Sequence, residues 1–301
     1  MQAGERELHF EALASLVVAN ARVGITITDA AGVILYVNRA FTEVTGYAPE
    51  EVIGHNPRLL HSGRHPPAYY EEMWRALLER GSWQGEIWNR RKSGEDYPEW
   101  LSIVAVRDKS GVLTNYCAIF SDISERKRAE ETLTHLALHD ALTDLPNRAL
   151  FLEHLRHALS RQRRADGRLA VLFLDLDGFK AINDAWGHDA GDLVLRTTGE
   201  RVRAWLRSSD VVARHSGDEF TVLLDGIRGA WQAADFAKKL EQEVGRPITM
   251  PVGECRVGVS IGIAIFPDDA ADEAALLHLA DQRMYQEKRR HLRSRDGRRG
   301  G

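Results

Sequence analysis

A chain of 301 residues is long enough for two ordinary domains, each burying its own core. Its 40 basic and 44 acidic residues leave a formal net charge of −4, so no global field draws it to nucleic acid. Cys117 and Cys255 are too few for a disulfide framework, no apolar run approaches the roughly 20 residues that cross a bilayer, and the start lacks a signal-peptide core. A cytoplasmic chain without membrane contact is expected.

From the N-terminus, Phe10, Leu13, Leu16 and Val17 recur at helical spacing and predict an amphipathic helix over 6–20. Strands over 24–28 and 33–38 flank Asp29-Ala30-Ala31-Gly32, a turn of residue types that tolerate positive φ, so they should form a hairpin. Residues 39–45, 49–53 and 67–79 read as helices, the last with Tyr70, Met73, Trp74 and Leu77 on one face. Three strands follow, 84–90, 97–107 and 113–121, separated by Lys92-Ser93-Gly94-Glu95 and Asp108-Lys109-Ser110-Gly111. Residues 122–137 contain no Gly or Pro and predict a continuous helix. Its Ile123, Ala129, Leu133, Leu136 and Ala137 form a partial seam, suited to a weakly held parallel dimer or to a monomeric spacer.

Beyond this helix, residues 169–174 are a continuous apolar run, as in a strand buried on both faces, and end on Asp175-Leu176-Asp177. In layered α/β proteins ligands collect at such an end. Strand alternation is read as sending Asp175 and Asp177 to opposite faces, which leaves one acid for a shared site and Asp177 as a strand cap. A polar helix, a turn at Gly187 and a second helix start follow, with Asn183, His188 and Asp192 placed to read a base edge. Ser216-Gly217-Asp218-Glu219-Phe220 reads as the tip of a hairpin. Two acids behind small residues suit a divalent cation carrying phosphates, although such a pair by itself is more often simply solvated. The arginine-rich stretch after Arg283 reads as a frayed basic tail.

Six ordered segments of this half resemble the GGDEF family of diguanylate cyclases: 139–148, 175–183, 187–192, 207–210, 216–220 and 259–264. The resemblance implies condensation of two GTP into cyclic di-GMP with release of pyrophosphate, each domain holding half of the site. It implies Mg²⁺ or Mn²⁺ held by Asp175, Asp218, Glu219 and the Leu176 carbonyl, with Glu219 also able to accept the proton. It gives Lys180 the developing phosphate charge and the substrate contacts to Asn183, His188, Asp192 and Lys288. Arg207 and Asp210 correspond to the family's inhibitory product site. Ser216 stands where the signature has its first Gly, and Leu292 where an Arg usually meets phosphate; Lys288, helped by Arg289 or Arg293, is expected to take that load.

The preceding block resembles a PAS sensor domain, through Asn38-Arg39-Ala40-Phe41, Thr45-Gly46-Tyr47, Asn89-Arg90-Arg91-Lys92 and Asp122-Ile123-Ser124-Glu125. Pro57 occupies the position of the reactive Cys of light-sensing flavin members, which excludes photoadduct chemistry there. Residues 83–91 are similar to a segment of flavin-binding redox and aerotaxis receptors, which implies FAD held near Trp83, Asn89 and Arg90. A purely structural use of these residues stands beside that reading, as does haem ligated by His55, His61 or His65.

The expected fold is therefore a two-domain α/β (α+β) chain. An N-terminal helix (1–20) precedes a PAS domain with a five-stranded antiparallel sheet (21–122), a signalling helix (123–138), a cyclase-like sheet flanked by helices (139–293) and a basic tail (294–301). Two functions compete: a sensor-regulated cyclase, homodimeric through the PAS domain and signalling helix, and an inactive receptor for GTP or cyclic di-GMP. Retention of the metal-binding acids favours the enzyme.

Overall fold

The structure is a computed structural model and describes residues 2–250 and 253–296. The backbone divides into two compact units, Met1–Glu131 and Thr132–Gly301.

In the first unit, α1 (Gln2–Asn20) precedes the antiparallel hairpin of β1 (Gly24–Asp29) and β2 (Ile34–Val37). Asp29 closes the turn by accepting from the N–H groups of Ala31 and Val33 at 2.9 and 2.8 Å, and Gly32 supplies the positive φ of +80°. Asn38 is 2% exposed because its side chain works in two directions. Its Oδ1 caps α2 (Arg39–Thr45) through Phe41 N–H and accepts from Ile25 N–H, so the helix start is fixed to the sheet. α3 (Pro49–Val52), a 3₁₀ turn (Pro57–Leu60) and α4 (Pro67–Arg80) follow. β3 (Ser82–Arg90), β4 (Asp96–Arg107) and β5 (Leu113–Asp122) complete an antiparallel sheet of order β2-β1-β5-β4-β3. The helices cover its inner face, where Phe41 of α2 packs with Ile34, Ile87, Leu101 and Phe120.

Asp122 starts the next helix, α5 (Ser124–Leu138): its carboxylate accepts from Ser124 N–H at 2.8 Å and from Arg91 at 2.5 Å. The division between the units falls within α5. Its first half pairs Lys127 with Glu86, and its second half pairs His135 with Asp144. Leu133 and Leu136, two of the five residues of the expected seam, are 67% and 56% exposed.

The second unit opens with α6 (Arg148–Ala165), capped by Asn147. β6 (Leu169–Asp177), α7 (Phe179–Trp186), α8 (His188–Ala204), β7 (Val211–Ser216), β8 (Glu219–Asp225) and α9 (Ala230–Val244) come next. A short hairpin of β9 (Ile248–Met250) and β10 (Gly253–Cys255), then β11 (Gly258–Phe266) and α10 (Glu273–Asp296), complete it. The sheet order is β11-β6-β8-β7 and every pair is antiparallel. The apolar run of β6 thus reflects burial on two faces, not parallel pairing. Ala170, Leu172, Leu174 and Leu176 pack with α8 and α9, whereas Leu169, Val171 and Phe173 pack with α6 and α10. α10 approaches β11 closely at Gly262, where a Cβ would lie 2.0 Å from the Ala280 carbonyl oxygen. The helix runs to Asp296, past the expected start of the tail, and residues 297–301 lie outside the described residues. Among the described residues no helix is long and apolar enough to cross a membrane.

Candidate active site and sensor cavity

Side chains two apart on a strand share a face, and Asp175 and Asp177 therefore both continue the Leu169-Val171-Phe173 row toward α10. The expectation of opposite faces was wrong, and Asp177 belongs to the same acidic surface as Asp175. Directly across from Asp175 stand Glu219 on β8 and Ser260 on β11. Asp218 occupies the intervening tip between β7 and β8, where Gly217 takes φ +48° and a larger side chain would be strained. The Asp218 carbonyl accepts from Leu176 N–H at 3.3 Å, which ties the tip to β6, and Ser216 Oγ donates to Glu219 Oε2. Ser216 itself is exposed. Three acids, from β6, β8 and the β7–β8 turn, thus lie at one end of the sheet, with the Leu176 side chain in the core.

Lys288 of α10 crosses to this end and donates to Asp175 Oδ1 at 2.5 Å. Burial pushes the Asp175 carboxyl up, the Lys288 bond opposes it, and the neighbouring charges of Asp218 and Asp177 push it further up. Burial works against the Lys288 ammonium, but Asp175 outweighs it and holds the lysine above its ordinary range. One turn on, His291 Nδ1 lies 3.0 Å from Asp177 Oδ2, and Ser260 Oγ donates to Asp177 Oδ1 at 2.7 Å. Sequence reading missed His291, yet Leu276, Ala280, Met284, Lys288 and His291 form one stripe along α10, which was the signal for it. The Leu292 side chain lies outside the described residues; Arg293 is exposed.

The donor set is all hard oxygen and carries more negative charge than Lys288 alone can offset, so in kind it fits a divalent cation. In the present arrangement, among the described residues, no three acids, histidines or cysteines are placed to enclose an ion. Lys288 supplies the positive charge at Asp175 instead.

Lys180 and Asn183 lie on α7 and His188 and Asp192 on α8, reached from β6 through Gly178, whose φ is +80°. Lys180 and His188 are exposed. Asn183 Oδ1 is buried with no partner, and a Cβ at Gly191 would sit 1.9 Å from it. Gly191 thereby lets the two helices close around an acceptor that, among the described residues, nothing satisfies. Among the described residues no hydrogen bond or ion pair joins this group to the acids.

Arg207 and Asp210 sit in the turn before β7. Among the described residues their side chains form no ion pair with each other. Asp210 accepts from the N–H groups of Arg207 and Asp225 at 3.2 and 3.1 Å, closing the turn, while among the described residues the exposed Arg207 guanidinium has no partner.

Residues 137–294 match the family model described as diguanylate cyclase, GGDEF domain, and residues 22–125 match that of a PAS domain. The chain belongs to the GGDEF family. The bifunctional diguanylate cyclase/cyclic di-GMP phosphodiesterase MucR of Pseudomonas aeruginosa is 47% identical over 54% of this chain, which covers 23% of that protein. Diguanylate cyclase TpbB of the same species is 46% identical over 54% of this chain and 38% of its own length. The structure of a delta-N mutant of TpbB from Pseudomonas aeruginosa comprising only the GGDEF domain, 46% identical, superimposes with a TM-score of 0.50, covering 50% of this chain and 89% of that one. The coiled coil and GGDEF domain of DgcB from Caulobacter crescentus, in complex with c-di-GMP, gives a TM-score of 0.50 at 27% identity, covering 55% of this chain and 88% of that one. The chain thus spans well under half the length of these two curated relatives.

The PAS unit encloses a cavity of about 400 Å³ between its sheet and helices. Of the flavin trio only Asn89 lines it. Trp83 packs edge-on against Tyr69 at 6.1 Å, and Arg90 is held by Asp96 at 2.8 Å. Of the three histidines His61 reaches the wall, stacked on Tyr70 at 4.2 Å, whereas His65 Nε2 accepts from Trp88 N–H. Glu99, which sequence reading passed over, also lines the cavity and is 2% exposed. Its oxygens accept from Asn89 Nδ2 at 3.0 Å and from the Tyr97 hydroxyl at 2.8 Å. Burial pushes its pKa up to about 7 in spite of both bonds. The signal was phase: Glu99 falls on the inward set of β4 with Tyr97 and Leu101.

Proposed function

We propose that the chain is a diguanylate cyclase that condenses two GTP into cyclic di-GMP, under control of its PAS unit. The observation that carries this reading is the register of Asp175 against Glu219 with Asp218 at the adjoining tip. A bound Mg²⁺ or Mn²⁺, held by Asp175, Asp218, Glu219 and the Leu176 carbonyl, would neutralise triphosphate charge. The Lys288 ammonium binds phosphate oxygens, joined by the exposed Lys180. The Asn183 acceptor and Asp192 take the N1–H and N2–H donors of guanine, which adenine does not present in that pattern. In each step a 3′-hydroxyl oxygen bonds to the α-phosphorus of the other nucleotide as the bond to the β-phosphate oxygen breaks. Pyrophosphate leaves, and the hydroxyl proton passes to Glu219. Each GGDEF unit holds one GTP, so a homodimer is required.

The pairing of Lys288 with Asp175, and the absence of an ion-enclosing set among the described residues, favour a second reading: a receptor that binds GTP or cyclic di-GMP without turnover. Incubating the purified chain with GTP and Mg²⁺ separates the two. Pyrophosphate and cyclic di-GMP in a ratio of two to one are expected; nucleotide binding without either product establishes the receptor.

The free Arg207 guanidinium supports an inhibitory product site, since it can grip a phosphate in two-point fashion. Arg207→Ala is expected to raise the concentration of cyclic di-GMP needed for half inhibition by about tenfold or more, an effect of at least one strong charged hydrogen bond. The initial rate with GTP stays within a factor of two to three of wild type. Unchanged inhibition removes Arg207 from the product site. Asp210 is a poorer probe, because its loss also opens the turn.

A further inference from the structure

Most of the PAS cavity wall is apolar, with Phe41, Leu60, Met73, Ile87, Leu101 and Phe120 among its members. One part differs in kind. The Asn89 amide nitrogen is committed to Glu99 Oε1, which leaves Asn89 Oδ1 buried without a partner. The Tyr70 hydroxyl, on the same wall, is also buried without a partner. An unpaired buried polar group costs about 1–3 kcal/mol, so each is a place where a bound molecule gains a contact that water outside already offers it. Among the described residues each Glu99 oxygen takes a single hydrogen bond, from Asn89 or from Tyr97, and a carboxylate has about four acceptor positions. No cation bonds to Glu99 among the described residues. Arg91 lies over the Tyr97 ring at 4.0 Å, but its guanidinium is engaged by Asp122 and Glu95. Around Glu99 and Asn89 Oδ1 the wall therefore presents a carboxyl and an acceptor with hydrogen-bonding capacity to spare; Arg58 and His61 line the same cavity, but among the described residues neither side chain bonds to Glu99 or to Asn89 Oδ1.

We propose that this cavity binds a compact molecule with an aromatic or branched apolar body and a protonated amine or amidine head, the head lying against Glu99 and Asn89 Oδ1. The apolar wall takes the body, and Met73 adapts to its outline. The head supplies the missing counter-charge to Glu99 in a site where charged hydrogen bonds are strong. This inference does not depend on GTP turnover.

The test uses three indoles with one body and different heads: tryptamine, 3-methylindole and indole-3-acetate. Each is titrated into the full chain by calorimetry, with thermal melting in parallel. Tryptamine is expected to bind about tenfold or more tightly than 3-methylindole and to raise the melting temperature, with indole-3-acetate the weakest. Glu99→Gln should bring tryptamine and 3-methylindole to within about a factor of two to three of each other, because the counter-charge is gone while the body's contacts remain. The proposal is overturned by no binding of tryptamine, by equal affinity for tryptamine and 3-methylindole, or by a preference that survives Glu99→Gln. It is overturned equally by a purified chain that carries flavin or haem, visible in its absorption spectrum. The series on the unaltered chain decides the matter even where Glu99→Gln fails to fold.

Discussion

Asp218→Asn is expected to lower GTP turnover by about a thousandfold, the scale of removing a principal electrostatic element from a phosphoryl-transfer site. Its folding stability should stay within about 1 kcal/mol of wild type. The two effects separate because the fold uses the backbone of Asp218 and the proposed chemistry uses its side chain. The tip is held by Leu176 N–H on the Asp218 carbonyl and by Arg214 on the Gly217 carbonyl, and neither contact involves the carboxylate. The half-buried side chain makes no hydrogen bond or ion pair of its own among the described residues. Steady-state production of cyclic di-GMP and a thermal melt on the same preparation check both halves. Turnover near the wild-type level would remove Asp218 from the reaction. Asp175→Asn is a less clean companion, because Asp175 is buried and paired, so its loss strands Lys288 as well.

Lys288→Met should act in opposite directions on two quantities. Binding of Mn²⁺ without nucleotide, followed by the paramagnetic resonance of the free ion, is expected to tighten by about tenfold. Turnover of GTP is expected to fall by about a hundredfold. In the wild-type chain a divalent cation of the proposed site would have to displace an ammonium already bonded to Asp175, and neighbouring Asp177 and Asp218 add to the hold on that ammonium. Removing the ammonium frees the carboxylate, but also removes a cation available to the triphosphate. Metal affinity that is unchanged or weaker in Lys288→Met would show that Lys288 and the ion do not compete for Asp175.

Local pattern carried much of both units. Turn chemistry at Asp29–Gly32 and alternation through β3, β4 and β5 placed the PAS sheet within a residue or two of its observed boundaries. The hairpin around Asp218 was legible for the same reason, since its apolar flanks and small tip lie next to each other in the chain. Side-chain partnerships across long separations were not. That Lys288 meets Asp175, or that His291 meets Asp177, depends on how α10 crosses the sheet, and periodicity fixes a helix's face without fixing what that face meets. Asp210 shows a different limit: one carboxylate can serve a ligand or a turn, and spacing alone does not choose. Antiparallel pairing in the second unit escaped for a similar reason, because a strand covered on both faces reads as one apolar run whichever way its neighbours point.

The contact between Lys288 and Asp175 spans 113 positions of the chain, and that between His291 and Asp177 spans 114. Loops of that length close late in folding, after local hairpins and helices have formed. Until α10 docks, Asp175, Asp177, Asp218 and Glu219 face one another without their ammonium, a mutual repulsion that a partly folded sheet must bear. The acidic end of the sheet is therefore where this unit should be slowest to order and first to open. Amide exchange at the Asp175–Asp177 end of β6 and at the 216–219 tip would then follow the docking of a helix distant in sequence, with the core of the strands exchanging more slowly.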